Sequence, residues 1–380
     1  MVYLDNAATT PVPQAVAEAV YEALVHGFAN PSAQYAPGLA MKKQVEQWRG
    51  AVAEAMGGTA EGLYFTSCGT EGDFAAISIA CAQNRGRHIV TTAVEHSAVL
   101  ETCTRLEREQ GYAVTRIAPD SNGDISAEAV LSAVGPDTAL VSVMLVNNEL
   151  GNRYPVEEIA RGLNTMGSGA LLHTDAVQGF LKVPFSAKTL GADLITVSAH
   201  KIGGPKGIGA LYLGPRVRHP RPWLPGGGQE RGLRSGTEAT AQIAGFAKAA
   251  ELRRASFPED AQRMEALRAY AVEHLRTIPD LVLLGGGARG TGAPHILALA
   301  LNGWPSQNVV NDLSSQGICI SAGSACHRGK PSHVVAALGL PKRTAQSVLR
   351  LSFGPDTTAA DVDACVDALR RHRAERMPML

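Results

Sequence analysis

Between residues 64 and 213 the chain repeats one pattern. A short apolar run of strand length leads into a polar or glycine-bearing turn, and then into a helical stretch with an apolar stripe. The runs fall at 64–66, 88–92, 114–118, 138–146, 171–172, 194–197 and 210–213. Strands apolar on both faces must be covered on both faces. Alternation with amphipathic helices therefore demands an α/β fold with a mainly parallel sheet between helical layers. In such sheets ligands gather beyond the carboxyl ends of the strands. His96, Asn148, Asp175, Gln178 and Lys201 all follow strand ends. Each alone reads as a turn or cap residue, but five in one phase along the sheet converge on one site.

The run at 193–213, D-L-I-T-V-S-A-H-K-I-G-G-P-K-G-I-G-A-L-Y-L, carries the most chemistry. Its glycines exclude a helix after Lys201. A lysine at the end of a buried strand is costly without a task. A Schiff base with an aldehyde cofactor is one such task, and it needs surroundings that lower the amine's pKa. These residues alone leave a surface lysine in a glycine hairpin equally open. Upstream, S-C-G-T-E-G-D at 67–73 joins a strand to an apolar helix. It places backbone N–H groups and Thr70 at a helix N-terminus, an arrangement suited to phosphate. A plain N-cap by Thr70 is the other reading.

Composition narrows the class. The 380 residues suit two domains. Lysine plus arginine equals aspartate plus glutamate at 35 each, which gives no electrostatic case for binding nucleic acid or an anionic membrane. Six cysteines, at 68, 81, 103, 319, 326 and 365, contain no C-x-x-C pair. They suggest reduced thiols rather than a zinc site or a disulfide framework. The start, M-V-Y-L-D-N, lacks a basic segment followed by an apolar one, and no apolar run reaches membrane-spanning length. The expectation is a cytoplasmic protein without a signal peptide.

Beyond 213 the pattern changes. A Gly/Arg-rich loop at 225–238 precedes two expected helices, near 239–255 and 261–277. G-G-G-A-R-G-T-G at 285–292 reads as a flexible surface turn. Strands near 296–301, 319–320 and 348–353 and helices near 306–315, 333–338 and 357–371 make an α+β tail.

Taken in order, the motifs resemble the cysteine desulfurases of the NifS/IscS type, within the fold-type I pyridoxal-phosphate enzymes. The resemblance runs through Y-L-D-N-A-A-T-T-P at 3–11, N-P-S at 30–32, F-T-S-x-x-T-E at 65–71, E-H at 95–96, N-N-E-x-G at 147–151 and D-A-x-Q at 175–178. It continues through S-x-H-K at 198–201, G-P-K-G-I-G-A-L at 204–211, G-G-G-Q-E-R-G-L-R-S-G-T at 226–237, S-x-G-S-A-C at 321–326 and R-L-S-F-G at 350–354. The cysteine motif separates this group from pyridoxal-phosphate aminotransferases.

The resemblance implies a large domain at 15–255 with a mainly parallel seven-stranded sheet. It also implies a smaller α+β domain, from 1–14 and 256–380, carrying the cysteine loop. It implies that Lys201 holds pyridoxal phosphate and that Asp175 pairs with the ring nitrogen. Gln178 and Asn148 would lie on the phenolic side, with Asn148 also near substrate. His96 would stack on the ring as acid and base. Thr70, Glu71, Ser198 and His200 would bind at the phosphate end, with Thr237 reaching in from the other subunit of a homodimer. Arg350 would clamp the substrate carboxylate, and Cys326 would be the nucleophile. No metal is implied. The implied reaction takes sulfur from L-cysteine, leaving alanine and a persulfide on Cys326 for a sulfur acceptor, a scaffold or a thiolation enzyme. The acceptor pathway would be iron–sulfur assembly, tRNA thiolation or DNA phosphorothioation. A selenocysteine or cystine lyase on the same fold is the alternative, and it would not need Cys326. Tyr35, Phe74 and Trp304 depart from the family pattern, and so does a shorter loop after Cys326. The last two of these bear on the acceptor.

Overall fold

The computed structural model describes residues 1–323 and 332–379; Cys326, His327, Arg328 and Lys330 lie outside them. In chain order the first part contains β1 (Val2–Tyr3), α1 (Gln14–Val25), α2 (Ala36–Ala55), β2 (Leu63–Thr66), α3 (Gly69–Gln83), β3 (His88–Thr92), α4 (Ser97–Gln110), β4 (Ala113–Ile117), α5 (Ala127–Ser132), β5 (Thr138–Ser142), α6 (Val156–Thr165), β6 (Leu171–Asp175), α7 (Ala187–Leu190), β7 (Leu194–Ser198) and β8 (Gly209–Leu213). The second contains α8 (Thr240–Leu275), β9 (Leu281–Leu284), α9 (Gly285–Arg289), β10 (Ile296–Leu301), α10 (Ser306–Ser315), β11 (Ile318–Cys319), β12 (Ser321–Ala322), α11 (His333–Ala337), α12 (Lys342–Ala345), β13 (Val348–Ser352) and α13 (Ala359–Glu375).

Strands β2 to β8 form one seven-stranded sheet in the order β2-β8-β7-β6-β5-β3-β4. All its pairings are parallel except those of β8, which runs antiparallel to both β2 and β7. Every residue of β5, β6, β7 and β8 is buried. Period-two alternation divides them between two cores. Val141, Leu172, Ile195 and Val197 face one apolar layer, and their neighbours Leu140, Leu171 and Leu194 face the other. The alternating apolar runs thus become a sheet covered on both sides, with its parallel strand ends turned to one edge.

The second sheet, β12-β13-β10-β9, is antiparallel. Leu297, Leu299, Leu301, Leu349 and Leu351 pack with Leu267, Ala271 and Leu275 of α8 and with Val362, Val366 and Leu369 of α13. Trp304, one of the departures from the family pattern, is buried in this core, and its indole donates to the Arg376 carbonyl.

Two local expectations are corrected. The two helices expected after 239 are one helix, α8, with Pro258 inside it. Proline removes one N–H from the ladder. Asp260 bridges the affected turn, accepting from Ser256 Oγ at 2.7 Å and facing Arg253 at 3.5 Å. The expected boundary at 255/256 falls inside this helix. The glycine run at 285–292 is a packed helical turn rather than a flexible surface turn. A Cβ on Gly287 would lie 2.2 Å from the Ile296 carbonyl, and one on Gly292 would lie 2.2 Å from the Gly151 carbonyl. The glycines allow close backbone approach.

The N-terminal segment joins the two sheets. β1 pairs with β11. Ala7 N–H donates to Ser352 Oγ of β13, and Thr10 N–H donates to the His200 carbonyl beside Lys201. Among the described residues no helix is long and apolar enough to cross a membrane.

Candidate active site

The site lies at the carboxyl ends of β6 and β7. After Ser198 the chain makes a single 3-10 turn, Ala199–Lys201. Gly204 then lets it double back, since a Cβ there would lie 2.7 Å from Ala199 Cβ. Lys201 Nζ donates to the carbonyls of Ala7 and Ala8, both at 2.7 Å. Burial, then the positive charge of Arg350, push this amine down to about 8 against the pull of Asp175 and Asp5. An amine in that range is a usable nucleophile and proton carrier near neutral pH.

Asp175 ends β6. Its Oδ1 accepts from Val177 N–H at 2.9 Å. Its carboxyl is buried, and that burial raises its pKa. Ligating atoms of Asp73, His96 and Asp175 lie within 4.8 Å of one another. His96 caps α4, its Nδ1 accepting from Ala98 N–H at 3.2 Å. The ring's exchangeable proton in the neutral form therefore sits on Nε2. The ring itself is exposed.

Gln178 donates through Nε2 to the Ala7 carbonyl at 2.8 Å and accepts from Lys182 Nζ at 3.2 Å. Lys182 is buried, and burial holds its amine well below the ordinary lysine value. Asn147 sets the turn that carries Asn148, its side-chain oxygen accepting from the Glu149 and Leu150 N–H groups. The Asn148 carbonyl then accepts from Arg350 Nη1 at 2.8 Å. Arg350, on β13, also donates through Nη2 to Asp5 Oδ1 at 2.7 Å and Ser321 Oγ at 3.1 Å. Among the described residues its buried Nε has no partner, which leaves one donor for an acid group.

At the other end of the site, α3 begins after Cys68, which offers no side-chain cap. The N–H groups of the first turn are open there, with Thr70 exposed beside them. Glu71 is committed elsewhere. Its carboxylate takes the Ser67 N–H, the Trp223 indole and the Arg234 guanidinium, which hold it down at about 2. What Glu71 can offer an anion is its backbone N–H. Ser198 is buried at the end of β7. His200 contacts Thr9 Oγ1 through Nδ1 at 3.2 Å, and burial followed by Lys201 push it to about 4. Thr237 is exposed in the loop before α8. Phe74 lies under the Arg105 guanidinium at 5.2 Å, and Tyr35 is exposed. Sequence reasoning missed five residues: Ala7 and Ala8 through their carbonyls, Asp5, Asp73 and Lys182. Only Asp73 left a signal, an acidic residue opening an otherwise apolar helical stretch.

The assembled groups are a depressed amine, a buried carboxyl facing an imidazole, an open helix N-terminus and an arginine with a free edge. Together they can receive an aldehyde, a cationic ring nitrogen, a phosphate and a carboxylate.

Comparison with known proteins agrees with this arrangement. The model of the family described as aminotransferase class-V matches residues 2–365. A cysteine desulfurase of Nostoc sp. is 41% identical over 373 residues, covering 97% of this chain and 92% of that protein. A solved NifS-like protein superposes with a TM-score of 0.91 at 34% identity, covering 98% of this chain and 99% of that one. A structure titled SspA in complex with cysteine superposes with a TM-score of 0.80 at 32% identity, covering 94% and 100%.

Proposed function

The chain belongs to the aminotransferase class-V family, and we propose that its site residues divide the work of a cysteine desulfurase as follows. The protein is a pyridoxal-phosphate-dependent cysteine desulfurase acting on L-cysteine. The observation that carries the residue assignment is Lys201: a half-buried, depressed amine on the Ala7 and Ala8 carbonyls, pushed down by burial and Arg350 against the pull of Asp175.

The donor set fits the cofactor. Asp175 is a buried carboxyl with no lysine or arginine in an ion pair with it among the described residues, and a protonated ring nitrogen would supply that pair. The open first turn of α3 fits the phosphate. Lys201, Asp175, Gln178, Thr70, the Glu71 N–H, Ser198 and His200 would hold it. When bound, pyridoxal phosphate supplies an electron sink for the substrate's Cα. Asp175 keeps the proton on the ring nitrogen. Lys201 Nζ takes the proton from the substrate Cα and returns one to carbon. His96, through Nε2, serves as the second acid and base. Arg350 takes the substrate carboxylate in a charge-assisted hydrogen bond from Nε, which has no partner among the described residues. Asn148 borders the same carboxylate.

Cys326 is the sulfur acceptor within the chain. Its thiolate attacks the substrate sulfur, the S–S bond forms as the Cβ–S bond breaks, and the electron pair goes to carbon. L-cysteine plus the Cys326 thiol give L-alanine plus the Cys326 persulfide, with no external oxidant. We assign the protein to the cytoplasm as a homodimer in which Thr237 completes the neighbouring site. Supporting the dimer, Tyr21, Leu24, Val25, Phe28, Tyr35 and Leu39 of α1, α2 and their connection are all at least half exposed except Val25 at 45%. An exposed apolar surface of this kind marks an interaction face. The acceptor beyond Cys326 is a scaffold or a thiolation enzyme.

The test is Lys201→Ala. Borohydride should fix the cofactor to wild type at Lys201 and to nothing in the variant. Attachment to another lysine contradicts the assignment. A Cys326→Ser variant that still makes alanine at the wild-type rate would favour the lyase reading instead.

A further inference from the structure

Behind Asp175 lies a second carboxyl that the proposed mechanism leaves unused. Asp73 sits in the second turn of α3 and is 1% exposed. The helix comes this close to the sheet because residue 72 is glycine: a Cβ there would lie 2.6 Å from Thr196 Cγ2. The Thr196 side chain is hydrogen-bonded to Asp73, while Asp73 Oδ1 has no hydrogen-bond partner among the described residues. The groups that face it are Asp175 and His173 from β6, His96 at the start of α4, and Glu95 in the turn before α4. No lysine or arginine pairs with it among the described residues.

Two imidazoles lie near Asp73: His96, whose Nδ1 already accepts from Ala98 N–H, and His173, the buried one that could pair with it. Its Nε2 lies 3.5 Å from Asp73 Oδ1. Both its ring nitrogens, however, are already engaged by hydroxyls, Nδ1 with Ser142 Oγ at 2.8 Å and Nε2 with Thr196 Oγ1 at 3.1 Å. Burial also pushes the imidazole down to about 4, so it is neutral at working pH. Two carboxyls whose oxygens lie within 4.8 Å, out of water and with no lysine or arginine paired to either among the described residues, do not both ionise. Asp175 has a backbone N–H donor on Oδ1, and Asp73 Oδ1 has none. Hydrogen bonds to a carboxylate favour its charged form. The charge therefore belongs on Asp175 and the proton on Asp73.

We propose that Asp73 is a protonated carboxylic acid, a positioning residue that lets Asp175 stand as the single carboxylate facing the cofactor nitrogen. The proposal rests on the reading of Asp175 given above. The pocket thus has one negative charge for one ring cation, rather than two carboxylates competing for it. Raised by burial, the acid form of Asp73 persists through neutral pH.

Infrared difference spectroscopy tests this without relying on turnover. Cofactor-free wild type minus Asp73→Asn at neutral pH should show the carbonyl stretch of one protonated acid and no carboxylate loss. A lost carboxylate pair of bands overturns the proposal. Should the variant not fold, wild type carrying 13C-labelled aspartate and loaded with pyridoxal phosphate gives the same answer. A shifted acid band is expected there, and its absence overturns the proposal. Asn mimics the neutral acid, so loaded Asp73→Asn should turn over within about threefold of wild type, with an unshifted visible spectrum. A loss matching that of Asp175→Asn would mean Asp73 carries the charge. If Asp175→Asn proves harmless while the Asp73 acid band remains, the role of Asp175 fails and the protonation of Asp73 stands.

Discussion

Lys201 should titrate as an unusual lysine before any cofactor is bound. Its amine is pushed to about 8, first by burial and then by Arg350. At pH 7 an amine of pKa 8 is about 9% neutral, against about 0.04% for an ordinary lysine near 10.4, a gain of roughly 200-fold in reactive form. Arg350→Met removes a cation and leaves Asp5 without its 2.7 Å partner, and both changes favour the ammonium. The variant's titration should move up by about one unit, the usual effect of one nearby charge. The assay is pulsed acetylation of cofactor-free protein across a pH series, with the Lys201 peptide quantified by mass spectrometry against an exposed lysine. Wild type should reach half-maximal labelling near pH 8. Labelling that rises only where free lysine does, or an Arg350→Met curve that stays put or moves down, would refute the reasoning.

Asp175→Asn should still bind cofactor but lose turnover by ~10²-fold or more, the scale of a lost electrostatic partner; alanine formation under saturating cysteine measures it. Glu230→Ala should destabilise the fold by about 3 kcal/mol, the low end for breaking a buried pair, because it leaves the buried Arg49 with only the half-exposed Glu46 as ionic partner. That pair is bidentate, at 2.7 and 2.9 Å, with both side chains under 5% exposed. Denaturant midpoints check it, and Glu230→Gln should cost less. Thr237→Ala should weaken cofactor binding about tenfold, the worth of one hydrogen bond to a charged group. Fluorescence titration with pyridoxal phosphate would detect this, and an unchanged affinity would remove Thr237 from the phosphate site.

Much of this architecture is legible in the residue order. The runs in β5 to β8 are apolar on both faces, and only a covered sheet accommodates that. Because polar residues follow those runs at the same end, the positions of Asp175, Gln178, Ser198 and Lys201 could be read with the strands. The helix α9 could not be read. Its glycines look like turn residues, and their reason for being there is the closeness of Gly151 and Ile296, distant in sequence. Nor could the continuity of α8 past Pro258, which depends on an aspartate bridging the break. The backbone carbonyls of Ala7 and Ala8 have no side-chain signature at all, yet they receive the Lys201 amine. Lys182 reads as one more loop lysine, and only its burial against Gln178 sets it apart.

The account turns on where the sulfur goes. Wild type incubated with L-cysteine, digested without reductant and analysed by mass spectrometry should carry one added sulfur, on the peptide containing Cys326. Reductant should remove it, and Cys326→Ser should show none. Cys81, Cys103 and Cys365 are buried thiols that burial pushes up to about 12, and they should stay unmodified. Alanine formed in step with free sulfide, with no extra mass on Cys326 at any time, would contradict the account.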